Sequence, residues 1–257
     1  MIVIDTLMKL DNVSFRYGKD SEVLKNLNLE IARNSFVSLL GPSGCGKSTL
    51  LNLLAGFMPV TNGIIQVDGK PVEKSSTRKG FVFQDLALFP WLTVTKNVEF
   101  GLKMQGVPKA ERKEKAKKLI ELVGLTPYTD FAISSLSGGM KQRVALARTI
   151  APEPEVLFLD EPFSALDAQT RDVLQEELRD LHKRLEMTSV LVTHSIDEAI
   201  YLSDYVVLMS RNGTIADKVK IEMDGKRDRT SAIYNEYESR LYNFLQQERN
   251  DKKQNIS

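Results

Sequence analysis

Two segments near the start of the chain alternate between apolar and polar positions, over residues 13–17 and 27–31. This period of two predicts half-buried strands on either side of a polar turn. Three later runs are almost continuously apolar, at Ser35–Leu40, Val156–Leu159 and Ser189–Val192. Continuous runs of this length indicate strands that are covered on both faces, as in the centre of a parallel sheet.

Shorter strands are predicted at residues 63–68 and 80–83. Residues 204–209 and 214–216 flank an Asn212-Gly213 turn and are predicted to form two edge strands. The chain therefore has the strand content of a mixed α/β protein.

Helical spacing dominates the middle of the chain. Pro108–Val123 is highly charged with one apolar face, and residues 141–150 are helical by composition. Because no convincing strand is found between about residues 95 and 151, we expect a helical insert within the α/β chain.

Two further helices are predicted towards the C-terminus. The first opens at residues 165–167, and His182, which lies among its charged residues, is expected to be solvated. Residues 231–246 form the second, and a frayed tail is expected from Glu248 to Ser257. The apolar side chains at helical spacing on the first of these helices are Val173, Leu174, Leu178, Leu181 and Leu185.

Composition narrows the class of protein. The chain has 257 residues, a net charge of +1, 42% hydrophobic and 27% charged residues, so nothing indicates the broad basic field of a nucleic-acid-binding protein. A single cysteine excludes an internal disulfide. No apolar run approaches the roughly 18 residues of a membrane span, and Met1–Asp5 lacks the basic start of a signal peptide. We therefore expect a cytoplasmic protein that can still dock on a membrane protein.

The first apolar run leads into a glycine-rich loop that fits the phosphate-loop pattern of glycine, four free positions and Gly-Lys-Ser/Thr. Glycines allow backbone N–H groups to approach phosphate oxygens, and the helix that follows adds unpaired donors. Lys47 would supply charge to the β- and γ-phosphates and the Ser48 hydroxyl would ligate Mg²⁺. A chance match in a glycine-containing turn is the alternative for this loop taken alone. The loop residues are Gly41, Pro42, Ser43, Gly44, Cys45, Gly46, Lys47, Ser48 and Thr49.

Other segments carry candidate chemistry. Ser137-Gly138-Gly139 precedes a helix, so it is either a second anion site or a simple cap with flexible glycines. Asp160 and Glu161 end an apolar strand, where one carboxylate can hold Mg²⁺ through water and the other can polarise an attacking water. A pair of surface acids is the alternative.

Four further residues stand out, each with two interpretations. His194, at the end of another apolar strand, is a γ-phosphate contact or a stray surface histidine. Tyr17 is a base-stacking aromatic or a core tyrosine of an edge strand. Trp91, in the apolar loop after Gln84, belongs to a docking surface or to a small hydrophobic cluster. Cys45 is filler beside a nucleotide or a nucleophile, and we interpret it as filler because no histidine lies near it in sequence.

Taken together, these motifs resemble the nucleotide-binding subunit of ATP-binding cassette (ABC) transporters, over about residues 8–245. The resemblance implies an α/β P-loop NTPase core with an antiparallel β subdomain and an α-helical subdomain. It implies an ABC ATPase domain over residues 8–230 with a helical subdomain inserted at about 95–151, followed by a C-terminal helix and tail over 231–257.

The resemblance also implies a role for each motif. Tyr17 becomes the adenine-stacking residue, residues 41–49 the Walker A loop, and residues 136–140 the signature motif, in which Met140 stands where the family usually has glutamine. Gln84, the Q-loop glutamine, links Mg²⁺ and the attacking water to the transmembrane partner. Asp160 is the Walker B aspartate that ligates the metal together with Ser48 and Gln84. Glu161 is the general base, Ser164–Asp167 the D-loop and His194 the switch histidine.

The segment after Gln84 and the tail around Arg227–Thr230 are similar to the nitrate, sulfonate and taurine importer subgroup. This implies an ATPase that uses ATP and Mg²⁺ at the cytoplasmic face of the cell membrane. Its expected partners are a second copy of itself, permease subunits that contact Gln84–Val94, and, indirectly, an extracytoplasmic solute-binding protein. No nucleic-acid partner is expected. The alternative is a soluble ABC-type ATPase that acts on nucleic acid or ribosomes, although such proteins usually resemble paired cassettes or carry coiled-coil insertions.

Overall fold

The computed structural model describes residues 5–18, 22–72, 78–223 and 225–254, with side chains as far as residue 250. Most of the Met1–Asp5 segment, in which no signal peptide is predicted, lies outside these residues, as do positions 255–257 of the tail. The chain divides into two compact units, Met1–Ser75 with Thr188–Ser257, and Ser76–Met187.

The described residues form a mixed α/β structure, as predicted. In chain order the strands are β1 (Thr6–Arg16), β2 (Glu22–Ala32), β3 (Phe36–Leu40), β4 (Asn62–Val67), β5 (Lys70–Pro71), β6 (Lys79–Val82), β7 (Val156–Asp160), β8 (Thr188–Thr193), β9 (Tyr205–Met209) and β10 (Ile215–Lys220). The helices are α1 (Lys47–Ala55), α2 (Val94–Met104), α3 (Lys109–Leu122), α4 (Gly138–Ile150), α5 (Ala168–Leu185), α6 (Ile196–Leu202) and α7 (Ala232–Gln254).

The first unit contains an antiparallel sheet with the strand order β2-β1-β4-β5. Strand β1 begins at Thr6, well before the alternation that starts at Val13. Its pairing with β2 shifts register between Leu10 and Val13, and Asn12 has a φ of 49°. The bulge separates the buried Met8 and Leu10 from the buried Val13 and Phe15, and this change of phase hides the first half of the strand from a period-two pattern.

In the same unit, β3 pairs in parallel with both β8 and β9, and β9 pairs antiparallel with β10. All five residues of β3 and all six of β8 are buried, as their continuous apolar runs predict. The prediction that residues 204–209 form an edge strand is wrong, because β9 has a partner on each side. Its residues Val206 to Met209 are buried accordingly.

The second unit contains the parallel strand pair β6-β7 and the helices α2 to α5. Between Val94 and Ala151, a range that the structure describes in full, the chain forms α2, α3, α4 and two short 3-10 turns. These helices close on one apolar core, so the amphipathic pattern of α3 does face inward. That core consists of Val94, Val98, Leu102, Ala116, Ile120, Val123, Leu125, Ile133, Leu136, Val144, Ala147 and Ala151.

Two predictions about α5 and α7 need correction. His182 on α5 is 6% exposed rather than solvated, whereas Val173 and Leu185, predicted on the apolar face, are 46% and 38% exposed. Helix α7 continues to Gln254, so the residues from Glu248 onward do not fray in the described part of the tail. Within the described residues, no helix is both long and apolar enough to cross a membrane.

Candidate active site

The glycine-rich loop connects the end of β3 to the first residue of α1, which is the layout that the sequence predicts. Gly44 and Gly46 have φ values of 80° and 97°, in the left-handed region that favours glycine. A Cβ atom on Gly46 would also lie 2.5 Å from Leu24 Cδ2, inside van der Waals contact. Gly46 therefore meets both a conformational and a packing requirement, and it brings the backbone close to β2.

Lys47 lies at the N-terminus of α1 with its side chain turned back into the loop. It is 7% exposed, and its Nζ donates to the carbonyl oxygens of Gly41 at 2.8 Å and Pro42 at 3.0 Å. Gly46 has no side chain with which to cap the helix, and a helix N-terminus without a side-chain cap is the kind of backbone site that suits an anion. The loop thus combines a nearly buried ammonium group with the positive end of a helix dipole.

Cys45 contributes packing within this loop. Its side chain is 1% exposed, and burial raises the pKa of the Cys45 thiol. A thiol with a raised pKa carries little of the nucleophilic thiolate at neutral pH. This agrees with the interpretation of Cys45 as filler.

Tyr17 lies just beyond the end of β1 and is 47% exposed, so it is not a core tyrosine. Its hydroxyl is 3.1 Å from the Thr49 Oγ1 of α1, and its ring packs edge to face on Phe15 with the ring centroids 4.8 Å apart. These two contacts hold an accessible aromatic ring beside the glycine-rich loop.

His194 directly follows β8 and is exposed. The residues on either side of it are held in place, because the Thr193 hydroxyl donates to the buried carboxylate of Glu198 and accepts from Ser195 N at 3.0 Å. Ser195 in turn caps α6 by accepting from Glu198 N at 3.3 Å.

Helix α6 was not predicted, although the sequence does carry a signal for it. Ser195 followed three residues later by Glu198 is the Ser-x-x-Glu pattern of a capping box. This pattern would have found both α6 and the two residues that fix the backbone around His194.

In the second unit, Asp160 is the last residue of β7 and Glu161 follows it directly. Its first four residues are buried, whereas the two acids are partly accessible. Glu161 has a φ of 45°, and Ser164 donates to its carbonyl oxygen from N at 3.2 Å and from Oγ at 3.0 Å. A left-handed residue closed by two hydrogen bonds makes a sharp turn, which fixes the direction in which the Glu161 carboxylate leaves the strand.

The Ser137-Gly138-Gly139 turn begins α4, as predicted, and Ser137 is its N-cap. The Ser137 hydroxyl accepts from Met140 N at 3.3 Å. A Cβ atom on Gly139 would lie 2.7 Å from Thr170 Cγ2 of α5, so glycine is required there for helix packing. Asp167 caps α5, and hydrogen bonds from Thr170 hold the pKa of the Asp167 carboxyl below its usual range.

Gln84 is exposed two residues beyond β6, and an apolar loop follows it. Asn97 of α2, which is fully buried, ties this loop down by accepting from Phe89 N at 3.0 Å and donating to the Phe89 carbonyl at 3.2 Å. Trp91 is nevertheless 76% exposed. The loop is therefore ordered by its own hydrogen bonds while its largest apolar side chain faces solvent, so it is not a closed hydrophobic cluster.

Each unit thus groups part of the predicted site. Among the described residues, no three His, Cys, Asp or Glu side chains gather in a way that would hold a metal ion. The predicted magnesium ligands, Ser48, Gln84 and Asp160, include only one carboxylate, so such a cluster is not expected of them. The first unit holds Tyr17, residues 41–49 and His194, and the second holds Gln84, Ser137–Gly139, Asp160 and Glu161.

The parallel strands, the glycine-rich loop and the helix that follows it define a P-loop nucleotide hydrolase. A family profile described as ABC transporter matches residues 24–164, which is more than half of the chain. The protein therefore belongs to the ABC transporter family, as an ATP-binding and ATP-hydrolysing subunit.

Curated relatives of this family match the chain over most of their own length. An uncharacterized ABC transporter ATP-binding protein of Methanocaldococcus jannaschii is 49% identical over 245 residues, covering 94% of this chain and 92% of the relative. The nitrate import ATP-binding protein of Synechocystis is 46% identical over 82% of this chain and 80% of its own length. The taurine import ATP-binding protein of Pseudomonas putida is 44% identical, with 84% of this chain and 83% of the relative covered.

Among solved structures, this chain is similar to a dimeric ATP-binding cassette in a post-hydrolysis state bound to ADP and Pi. The TM-score is 0.74 at 32% identity, with 85% of this chain and 100% of the other covered. The ABC ATPase fold implied by the sequence motifs is thereby confirmed.

Proposed function

We propose that this protein energises an importer of a small anionic solute, of the kind represented by nitrate and taurine, by hydrolysing ATP at the cytoplasmic face of the membrane. The main observation in favour of the ATPase site is the glycine-rich loop. There Lys47, which is 7% exposed, lies between the turns at Gly44 and Gly46 and the N-terminus of α1. The importer assignment is supported by the similarity to relatives named for nitrate and taurine import.

Each site residue has a role in this proposal. The triphosphate binds along residues 41–49, where Lys47 and the α1 N–H groups neutralise its charge, and Tyr17 offers its exposed ring to the adenine. Ser48, Gln84 and Asp160 would hold Mg²⁺, which neutralises phosphate charge when it is bound. Glu161 orients the attacking water and accepts its proton, and His194 contacts the γ-phosphate.

A second copy of the chain completes the site. Ser137, Gly138 and Gly139 bind the γ-phosphate of the ATP held by the other copy, so that nucleotide joins two cassettes and hydrolysis releases them. The similarity to a dimeric cassette bound to ADP and Pi supports this arrangement.

The permease binds the second unit at the loop after Gln84. A cleft of about 710 Å³ opens beside Trp91 and α2 and is lined by Phe100, Lys96 and Lys103 among others. An exposed indole beside an apolar wall and several lysines suits an amphipathic cytoplasmic segment of a membrane protein. The solute-binding protein then takes part only through this permease.

A catalytic prediction follows from the turn at Glu161. Glu161→Gln keeps the shape and hydrogen-bonding capacity of the side chain but removes the base, so the chain should bind ATP and turn it over at least about a hundredfold more slowly. Steady-state phosphate release together with nucleotide binding would measure both quantities. Near-normal turnover would remove Glu161 from this role.

The proposed function is tested by capture from native membranes with tagged Glu161→Gln protein, ATP and Mg²⁺, followed by mass identification of the bound proteins. A polytopic membrane protein is expected, and Trp91→Ala in the same background should reduce its recovery. Tyr242→Ala, which truncates another exposed aromatic on α7, is the matched control and should not. Recovery of only soluble or nucleic-acid-bound partners would contradict the importer and favour the other class of ABC ATPase.

A further inference from the structure

The segment from Arg227 to Tyr234 contacts α6, the seven-residue helix that begins two residues after His194. Arg229 donates to the Asp197 carboxylate through Nε at 2.8 Å and through a second nitrogen at 3.2 Å. Tyr234, the third residue of α7, donates its hydroxyl to the same carboxylate. Two side chains of the C-terminal segment therefore hold Asp197. Because Arg229 binds both carboxylate oxygens, it fixes the orientation of the carboxylate as well as its distance.

The same segment also contacts the C-terminal end of α6. The guanidinium of Arg229 lies 3.9 Å from the centre of the Tyr201 ring, in cation–π contact. Arg227, which is 4% exposed, donates to the carbonyl oxygen of Ile200. We refer to Arg227, Arg229 and Tyr234 together as the C-terminal clamp.

The clamp is itself firmly supported. Tyr234 is 3% exposed, and burial with the neighbouring Asp197 carboxylate raises the pKa of its hydroxyl far above the usual range, so it remains a donor. Farther along α7, Arg240 pairs with Asp217 of β10 at 2.8 Å, and Glu248 accepts from Arg211 N at 2.7 Å. Helix α7 is therefore attached along its length to the β9-β10 side of the first unit.

The connection from α6 to His194 is short. Glu198 of α6, 5% exposed, accepts from the Thr193 hydroxyl and donates from its backbone to Ser195 Oγ. Those two residues flank His194. Hydrogen bonds therefore join α6 to the residues on both sides of His194, so a rotation or shift of α6 would strain or break them.

We propose that the C-terminal clamp, through Asp197 and α6, positions His194 for ATP turnover. Arg227, Arg229 and Tyr234 are thus positioning residues, and α7 contributes to the rate of hydrolysis without touching nucleotide. The inference depends on the proposed role of His194 at the γ-phosphate. It assigns a task to the Arg227–Thr230 segment, which the sequence analysis singled out only as a mark of similarity to one importer subgroup.

The test uses Tyr234→Phe and Asp197→Asn in the full chain, with ATPase rates measured across ATP concentrations. Both variants keep the shape of the side chain. Tyr234→Phe removes a donor of the clamp, and Asp197→Asn removes the charge to which the clamp binds. The expected result is a kcat lowered by about three- to tenfold with an unchanged KM, because a small misplacement of a catalytic group reduces rate while the binding loop is untouched. Glu30→Gln, which like Asp197→Asn replaces a carboxylate by its amide but breaks an exposed ion pair between β1 and β2, is the matched control and should leave kcat unchanged.

A double-mutant cycle with His194→Ala separates positioning from general stabilisation. If the clamp acts through His194, Tyr234→Phe will lower kcat in the wild-type background and have no further effect once His194 is removed. Losses of equal size in both backgrounds would overturn the proposal, since they would show that the clamp acts elsewhere.

The clamp proposal and the proposed role of His194 in turnover fail in different ways. The chain has two histidines, His182 and His194, so the NMR signal of the His194 imidazole is readily assigned by comparison with His194→Ala. The clamp predicts that Asp197→Asn shifts this signal and that Glu30→Gln does not. A signal that Asp197→Asn leaves unmoved would overturn the proposal. An unchanged kcat in His194→Ala alone would instead remove His194 from turnover.

Discussion

The turns that precede α1 and α4 both bring glycine to a helix N-terminus, yet their first N–H groups are arranged differently. The α1 turn ends in Gly46, whose φ is 97° and which has no side chain to act as a cap. The α4 turn begins with Ser137, whose hydroxyl accepts from Met140 N at 3.3 Å. The first turn therefore has no side-chain cap, whereas the second satisfies one N–H group with its own serine.

This difference shows that glycine in a candidate anion site can be explained by packing as well as by a ligand. A Cβ atom would lie 2.5 Å from Leu24 at Gly46 and 2.7 Å from Thr170 at Gly139. Both positions would select glycine even without a phosphate. What distinguishes the α1 turn is Lys47 at the first position of its helix, which directs its ammonium group into the loop.

The largest effect is expected for Gly46→Ala. It forces alanine into the left-handed region and places a methyl group against Leu24, and each of these costs about 1–3 kcal/mol. The free energy of unfolding should fall by about 2–6 kcal/mol in chemical denaturation. Gly44→Ala is the control, because Gly44 has a φ of 80° but none of the described residues has an atom within 4 Å of a Cβ placed there. Equal losses in the two variants would contradict the role of Leu24.

Lys47→Ala comes next, and its effect falls on ligand binding. Removing a charged donor to phosphate costs about 1.5–3 kcal/mol, which corresponds to ATP binding that is about ten- to a hundredfold weaker. Calorimetric titration would measure this, with the exposed Lys70→Ala as a control for lost net charge. Unchanged affinity would contradict the assignment of residues 41–49 as the phosphate site.

The smallest effect on folding is expected for Ser137→Ala, which loses an N-cap worth about 1 kcal/mol. Ser137→Asp restores a good cap but places a negative charge where the proposed γ-phosphate contact lies. The aspartate variant should therefore unfold like the wild type while ATP turnover falls below that of the alanine variant. If turnover instead followed stability in the two variants, Ser137 would be a cap alone.

The parts of the fold that were predictable from sequence are those set by local pattern. The strands β3, β7 and β8 have continuous apolar runs, the loop at residues 41–49 has fixed spacing, and α1 ends at a glycine with a φ of 80°. Each of these signals lies within a few residues of the element that it predicts.

The errors arose where burial depends on a distant segment. His182 lies among charged residues in sequence and is 6% exposed in the structure, while Val173 on the same helix is 46% exposed. The edge-strand prediction for β9 fails because only its hairpin with β10 is local, whereas its pairing with β3 joins residues far apart in sequence. The C-terminal clamp was missed for the same reason, since it links Arg229 to Asp197.

The hydrogen bonds of Arg148 carry a mechanical consequence. Arg148 lies near the C-terminal end of α4, donates to the carbonyl oxygens of Leu86 and Ala87, and places its guanidinium over the Phe89 ring. The loop that bears Trp91 is therefore fastened to one end of a helix whose other end begins at Ser137. Helix α4 has thirteen residues and is about 20 Å long, so one continuous element spans the distance between the anchor of this loop and the Ser-Gly-Gly turn.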